Sequence, residues 1–247
     1  MGLENPLGGW ELNQVKRGIQ RKLGRPPKQK LAITPQILKD IYKALDKEKP
    51  EAQAFWTACL IGFFGFLRKS TLLPKSSKTT DTAKAIRISD VILEDKSSAN
   101  IVIRHTKTIQ FGQRLLTLPF ATVPGSHLCP VNALIVMLSQ LNPEAKLASD
   151  QPLFSYSVGT NLHHLTHKTF VDILKEVLVS SGKDASQFSG HSFRRGGCSH
   201  AFSIGVPAPI IKLRGDWKSN AFERYISISQ DHHLDLAKAM ALSVHQD

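Results

Sequence analysis

Behind Ile33-Thr34-Pro35 the apolar residues Ile37, Leu38, Ile41, Tyr42 and Leu45 recur at helical spacing. Thr34 can cap such a helix and Pro35 suits its first position, so the main domain is expected to start here. The stretch AFWTACLIGFFGFL, inside residues 51–66 and just beyond, is interrupted only by Thr57, which predicts a helix buried on nearly every side. It delivers Arg68 at its C-terminal end. AIRISDVILE, NIVIRHT and RLLTLP then alternate or cluster β-branched and aliphatic residues, separated by DKSSA and KTIQFGQ. They predict a three-stranded antiparallel sheet, with Lys107 at the turn between its second and third strands. After Pro130 helical patterning returns over about 131–140, 166–179, 191–203, 207–214 and 219–227, with a last helix from about 232. The fold class expected is mainly α with one small sheet.

Composition narrows the partners. The 247 residues are 41% hydrophobic, enough for an ordinary core, and carry 32 Lys and Arg against 20 Asp and Glu, a net charge of +12. That balance ranks nucleic acid, or an anionic surface, first. There is no run of about 18 uncharged apolar residues, and MGLENPLGGW lacks the basic start and apolar stretch of a secretory signal. A soluble intracellular protein is expected. Cys59, Cys129 and Cys198 are odd in number and far apart, which indicates neither a disulfide framework nor a structural zinc site.

Two stretches concentrate positive charge. Residues 14–30 hold seven basic residues, among them Arg17, Arg21, Lys22 and Arg25, and no acid, and they end in Gly24, Pro26 and Pro27. A short helix followed by an extended basic linker is expected. GHSFRRGG, residues 190–197, packs His191, Arg194 and Arg195 among three glycines. Glycine permits close approach and two arginines call for an anion, so the motif is expected to let a phosphate-bearing partner come close to the helix.

Taken in order, FFGFLRKSTLLP with Arg68, IRHTKTIQFG with Lys107, GHSFRRGG with His191 and Arg194, GDWKS with Trp217, and ERYIS with Tyr225 closely resemble the tyrosine recombinases, the phage-integrase family. The resemblance spans about residues 33–235 and is strongest to the forms carried by eukaryotic mobile elements. It implies a catalytic domain that cuts and rejoins double-stranded DNA through a phosphotyrosine bond, with no metal or other cofactor. Arg68 and Arg194 would hold the non-bridging oxygens, because each guanidinium offers a planar fork of donors and stays charged. His191 would bond the phosphate or take the tyrosine's proton; Lys107 would protonate the leaving 5′ oxygen; Tyr225 would attack. Trp217 would pack against the site or donate its indole N–H. Lys69, Arg195 and Lys218 join Arg17, Arg21, Lys22 and Arg25 as DNA contacts.

Two positions depart from the pattern. Thr71 stands where many members carry an acid, so a bracing carboxylate is missing or supplied elsewhere. Tyr225 lies eight positions after Trp217, one fewer than in many bacterial members. Residues 1–32 resemble the last helix and linker of a preceding DNA-clamping domain, which leaves a fragment, or a mobile-element derivative without its front half, as the expectation. The resemblance further implies synaptic tetramers, with a C-terminal helical tail, residues 236–247, passed to a neighbour, and action in the nucleus. A type IB topoisomerase and a non-catalytic DNA-binding relic remain as alternative readings.

Overall fold

The computed structural model describes residues 9–23, 29–94, 97–109, 114–143 and 149–226, together with positions 234, 237, 238, 240 and 241. Nine helices occur among them: α1 (Trp10–Leu23), α2 (Pro35–Ala44), α3 (Ala52–Phe64), α4 (Lys69–Leu72), α5 (Thr79–Thr82), α6 (Pro130–Ser139), α7 (His167–Ser180), α8 (His191–Ser203) and α9 (Ala208–Arg214). Strands β1 (Val91–Glu94), β2 (Ser98–Ile103) and β3 (Leu116–Ala121) form an antiparallel sheet with β2 central. The fold is mainly α with this small sheet, as the residue pattern predicts. No described helix is long and apolar enough to cross a membrane.

The apolar stretch through α3 is the axis of the core. Every residue from Ala52 to Phe63 except Gln53 is buried, and the helix packs against α6 and α8. Its single polar interruption is satisfied: the Thr57 hydroxyl lies 2.8 Å from the Gln53 carbonyl and 3.0 Å from that of Ala133 in α6. A buried hydroxyl without such an acceptor would cost about 1–3 kcal/mol. Thr34 caps α2 through the Ile37 N–H, at 3.2 Å. The central strand buries Ala99, Ile101 and Ile103 on one face, and Ile101 pairs with Val91 on one side and Leu118 on the other.

The structure departs from the expected elements in three places. Only Val91–Glu94 of AIRISDVILE is strand, because Asp90 folds Ile88–Asp90 into a 3₁₀ turn, its carboxylate accepting the Arg87 N–H at 3.0 Å. A hairpin of β4 (Ser155–Val158) and β5 (Asn161–His164), turning at Gly159 with φ of 59°, was not anticipated. The segment expected as a helix over 219–227 is a 3₁₀ helix, Asn220–Tyr225. Beyond Ile226 only five positions are described, all helical, so most of the expected tail lies outside the described residues.

The glycines of GHSFRRGG do not face outward. A Cβ on Gly196 would overlap the Ile33 carbonyl oxygen, one on Gly197 the Phe63 carbonyl, and one on Gly190 the Lys69 side chain at 2.9 Å. The close approach they permit is therefore that of α8 to α3 and to the chain entering α2, not that of an outside partner. Gly196→Ala should lower unfolding stability by at least about 2 kcal/mol through overpacking. Gly18→Ala in α1, where nothing lies within 4 Å, should leave it unchanged or raise it. Equal denaturant midpoints for the two variants would refute this packing role.

Candidate active site

Arg194 is the largest fully buried side chain, with 1% of its surface exposed. Burying a guanidinium is costly unless its donors are met, and two of them are. Nη2 donates to the Gly215 carbonyl at 2.8 Å and Nη1 to the Phe66 carbonyl. Both acceptors sit at turns that contain non-glycine residues in the left-handed region: Phe66 itself, φ 51°, and Asp216, φ 54°, which follows Gly215. Such conformations cost of order 1–3 kcal/mol each and persist where surrounding structure enforces them, often at functional sites.

The indole of Trp217 lies flat against this cation, 3.6 Å from guanidinium carbon to ring centroid, and the Tyr225 ring centroid is 5.4 Å away. Trp217, Phe222, Phe66, Cys198 and Ile211 form a small apolar cluster apart from the main core, and Tyr225 packs at its edge. Among the described residues neither Nε of Arg194 nor Nε1 of Trp217 has a hydrogen-bond partner, although both atoms are buried. No carboxylate pairs with Arg194 among the described residues. Burial, and after it the charge of Arg68, presses the Arg194 pKa down to about 9, so the group is still cationic at neutral pH.

Arg68 emerges half-buried where the chain leaves α3 and caps the start of α4. Its charge is close enough to depress both Arg194 and His191. His191 opens onto a cleft of about 300 Å³ that Lys30, Arg195, Arg224 and Tyr225 also line. Partial burial first, then the charges of Arg68, Arg194 and Lys69, lower its pKa and favour the neutral imidazole. Arg195 turns away from Arg194, toward this cleft. Its Nη2 holds the Gln29 side chain at 2.6 Å and the Arg224 carbonyl at 2.9 Å, bracing the segment that carries Tyr225.

Lys107 lies exposed on the connection from β2 to β3, between Thr106 and Thr108. Both threonine hydroxyls donate to the carboxylate of Asp216, Thr106 at 2.7 Å, and Arg114 pairs with the same group. The loop is thereby held one residue from Trp217. Asp216 was not singled out in the sequence, although an acid beside Gly215 in GDWKS was the available signal. Thr71, in the position of the expected acid, is buried in α4. Lys69 is half-buried beside the site, Lys218 is exposed next to Trp217, and Arg17 and Lys22 are exposed on α1. The Arg21 side chain and all of Arg25 lie outside the described residues.

By sequence the chain matches no family model and no curated protein. By structure it is similar to XerH site-specific recombinase bound to its difH substrate in a pre-cleavage complex, with a TM-score of 0.57 at 14% identity over 85% of this chain and 54% of that one. It is also similar to XerA recombinase, TM-score 0.57 at 12% identity, covering 90% of this chain and 67% of that one. A third is the Tn1549 transposon integrase in complex with circular-intermediate DNA, TM-score 0.55 at 13% identity, covering 95% and 70%. The chain thus spans about half the length of XerH. The fold is that of tyrosine recombinase catalytic domains.

The tie made by Arg194 can be measured separately from any chemistry. Arg194→Ala strands the Phe66 and Gly215 carbonyls and removes the surface on which Trp217 rests, so it should cost roughly 3–5 kcal/mol of unfolding free energy. Arg68→Ala, at a half-exposed position, should cost under about 1 kcal/mol. Similar losses in denaturant titrations would mean that Arg194 is not the structural tie.

Proposed function

We propose that this chain binds double-stranded DNA and breaks and rejoins it through a phosphotyrosine intermediate formed on Tyr225. The observation that carries the reading is a buried cation with no ion pair among the described residues: Arg194 leaves its Nε unpaired there, lies over an indole whose N–H is also unpaired there, and sits beside a second arginine. Unsatisfied buried donors call for an acceptor, and a phosphate offers charge and oxygens together. The fold supports the same reading, since the similar structures are recombinases, two of them bound to DNA.

In the proposed reaction the Tyr225 Oη attacks phosphorus as its proton passes to neutral His191. The bond from phosphorus to the 5′ oxygen breaks, and that oxygen takes a proton from Lys107. Arg68 and Arg194 hold the negative charge that builds on the non-bridging oxygens; each such donor is worth about 10²–10³ in rate. Attack by a 5′ hydroxyl on the phosphotyrosine reverses the step and releases Tyr225. HSFRRGG and GDWKS as they stand favour strand exchange over a type IB topoisomerase, and the reading extends to a recombinase of the eukaryotic mobile-element type, acting in the nucleus.

The sealed state of Arg194 favours a second reading, a DNA-binding protein without catalysis. Incubation with a nicked suicide duplex separates the two. The first reading expects a denaturation-resistant protein–DNA adduct that Tyr225→Phe abolishes while DNA binding stays within about twofold, since only one oxygen is removed. Absence of the adduct from the wild-type chain would favour the second reading; an adduct that survives in Tyr225→Phe would assign attack to another residue.

A further inference from the structure

We propose that Asp216 is a positioning residue that sets Lys107 at the reacting phosphate by clamping both sides of its loop. The inference rests on the DNA-cleavage reading of the site and adds to it a residue that reading does not use.

Four observations meet at this carboxylate. It is 8% exposed, so its hydrogen bonds are not shared freely with solvent. Thr106 and Thr108, the two neighbours of Lys107, both donate to Oδ2, and Arg114 on the far side of the loop pairs with Oδ1. Within the loop the Thr106 hydroxyl also accepts the backbone N–H groups of Thr108 and Ile109, each at 3.0 Å, so the acid orients a hydroxyl that itself folds the turn. Finally, Asp216 holds a left-handed φ of 54° immediately after Gly215, whose carbonyl binds Arg194, and immediately before Trp217, which stacks on Arg194.

The charge state suits a clamp. Burial raises the Asp216 pKa, but the Thr108 and Thr106 hydroxyls and then Arg114 outweigh it, and the net shift is downward. An ionised carboxylate accepts from all three donors at once, whereas a protonated or amidated one must give up an acceptor position. One rigid turn therefore fixes two things together: the phosphate-side arginine through Gly215 and the lysine loop through Asp216. A general acid works only at hydrogen-bond distance, and a misplacement of about 1 Å can cost on the order of 10²-fold in rate.

Asp216→Asn isolates this role, because asparagine tolerates the left-handed backbone as well as aspartate does and keeps the volume. The expected result is cleavage of ordinary DNA slowed by about 10²-fold, with DNA affinity unchanged. When the bridging 5′ oxygen is replaced by sulfur, which leaves without a proton, Asp216→Asn and Lys107→Ala should both recover most of their rate while Arg68→Ala should not. The double variant Lys107→Ala/Asp216→Asn should be no slower than Lys107→Ala alone, since residues acting through one another do not add. Full activity of Asp216→Asn on ordinary DNA, an equal defect on the sulfur strand, or multiplicative losses in the double variant would overturn the proposal. Amide hydrogen exchange keeps it testable without catalysis: Asp216→Asn should speed exchange at Thr108 and Ile109 by about tenfold or more while the helical core is unaffected. If the wild-type chain forms no adduct, the cleavage reading fails and exchange alone decides whether Asp216 clamps the loop; unchanged protection there would overturn the clamp as well.

Discussion

A buried guanidinium with no ion pair among the described residues is the constraint around which the C-terminal half of this fold is arranged. In a low-dielectric interior the Arg194 charge would be prohibitive if left to itself. It is tolerated because two turns bend their backbones into unfavourable left-handed conformations at Phe66 and Asp216 and present the Phe66 and Gly215 carbonyls to it, and because Trp217 and Tyr225 supply negative ring faces. Cation–π contact is worth about 2 kcal/mol or more when desolvated. The strain, the stacking and the burial are thus one arrangement, and each part makes sense only through the charge at its centre.

The glycines of α8 follow from the same constraint. For Arg194 to reach the Phe66 carbonyl, α8 must lie against the end of α3 more closely than any side chain permits, and Gly197 meets the Phe63 carbonyl directly. Gly196 does the same for Ile33, whose N–H donates to the Ser192 carbonyl at 3.0 Å. Gly215 completes the set, since a Cβ there would strike the Trp217 ring. Glycines that look, in the sequence, like room left for a partner are consumed by the packing of the chain on itself.

This explains which parts of the molecule were legible in advance. Helices α2, α3, α6, α7 and α8 announce themselves because their apolar patterns agree with their burial, and α2 and α7 add a threonine cap. The hairpin Ser155–His164 does not, since its two four-residue strands are polar and half-exposed and carry little alternation. At the site, the order Arg68, Lys107, His191, Arg194, Trp217, Tyr225 can be read from residue types, and the structure brings His191, Arg194, Trp217 and Tyr225 together. What residue types could not convey is depth. A pair of adjacent arginines reads as two groups within reach of an anion, yet Arg194 is sealed while Arg195 lines the open cleft. Asp216 is hidden because an isolated acid beside glycine reads as a turn former, and its three partners lie more than 100 residues earlier in the chain.

Depth also divides the labour between the two arginines under the proposed function. Each terminal nitrogen of Arg194 spends one N–H on a carbonyl, and its Nε, like the Trp217 Nε1 beside it, has no partner among the described residues. Arg68 is half-buried at the mouth of α4, makes no side-chain hydrogen bond to that helix, and can offer a phosphate a planar fork. A phosphate reaching the site would therefore be gripped geometrically by Arg68 and electrostatically by Arg194. The second contribution requires no movement of the arginine and no reorganisation of its partners, which is the condition under which a fixed charge stabilises a developing anion most effectively.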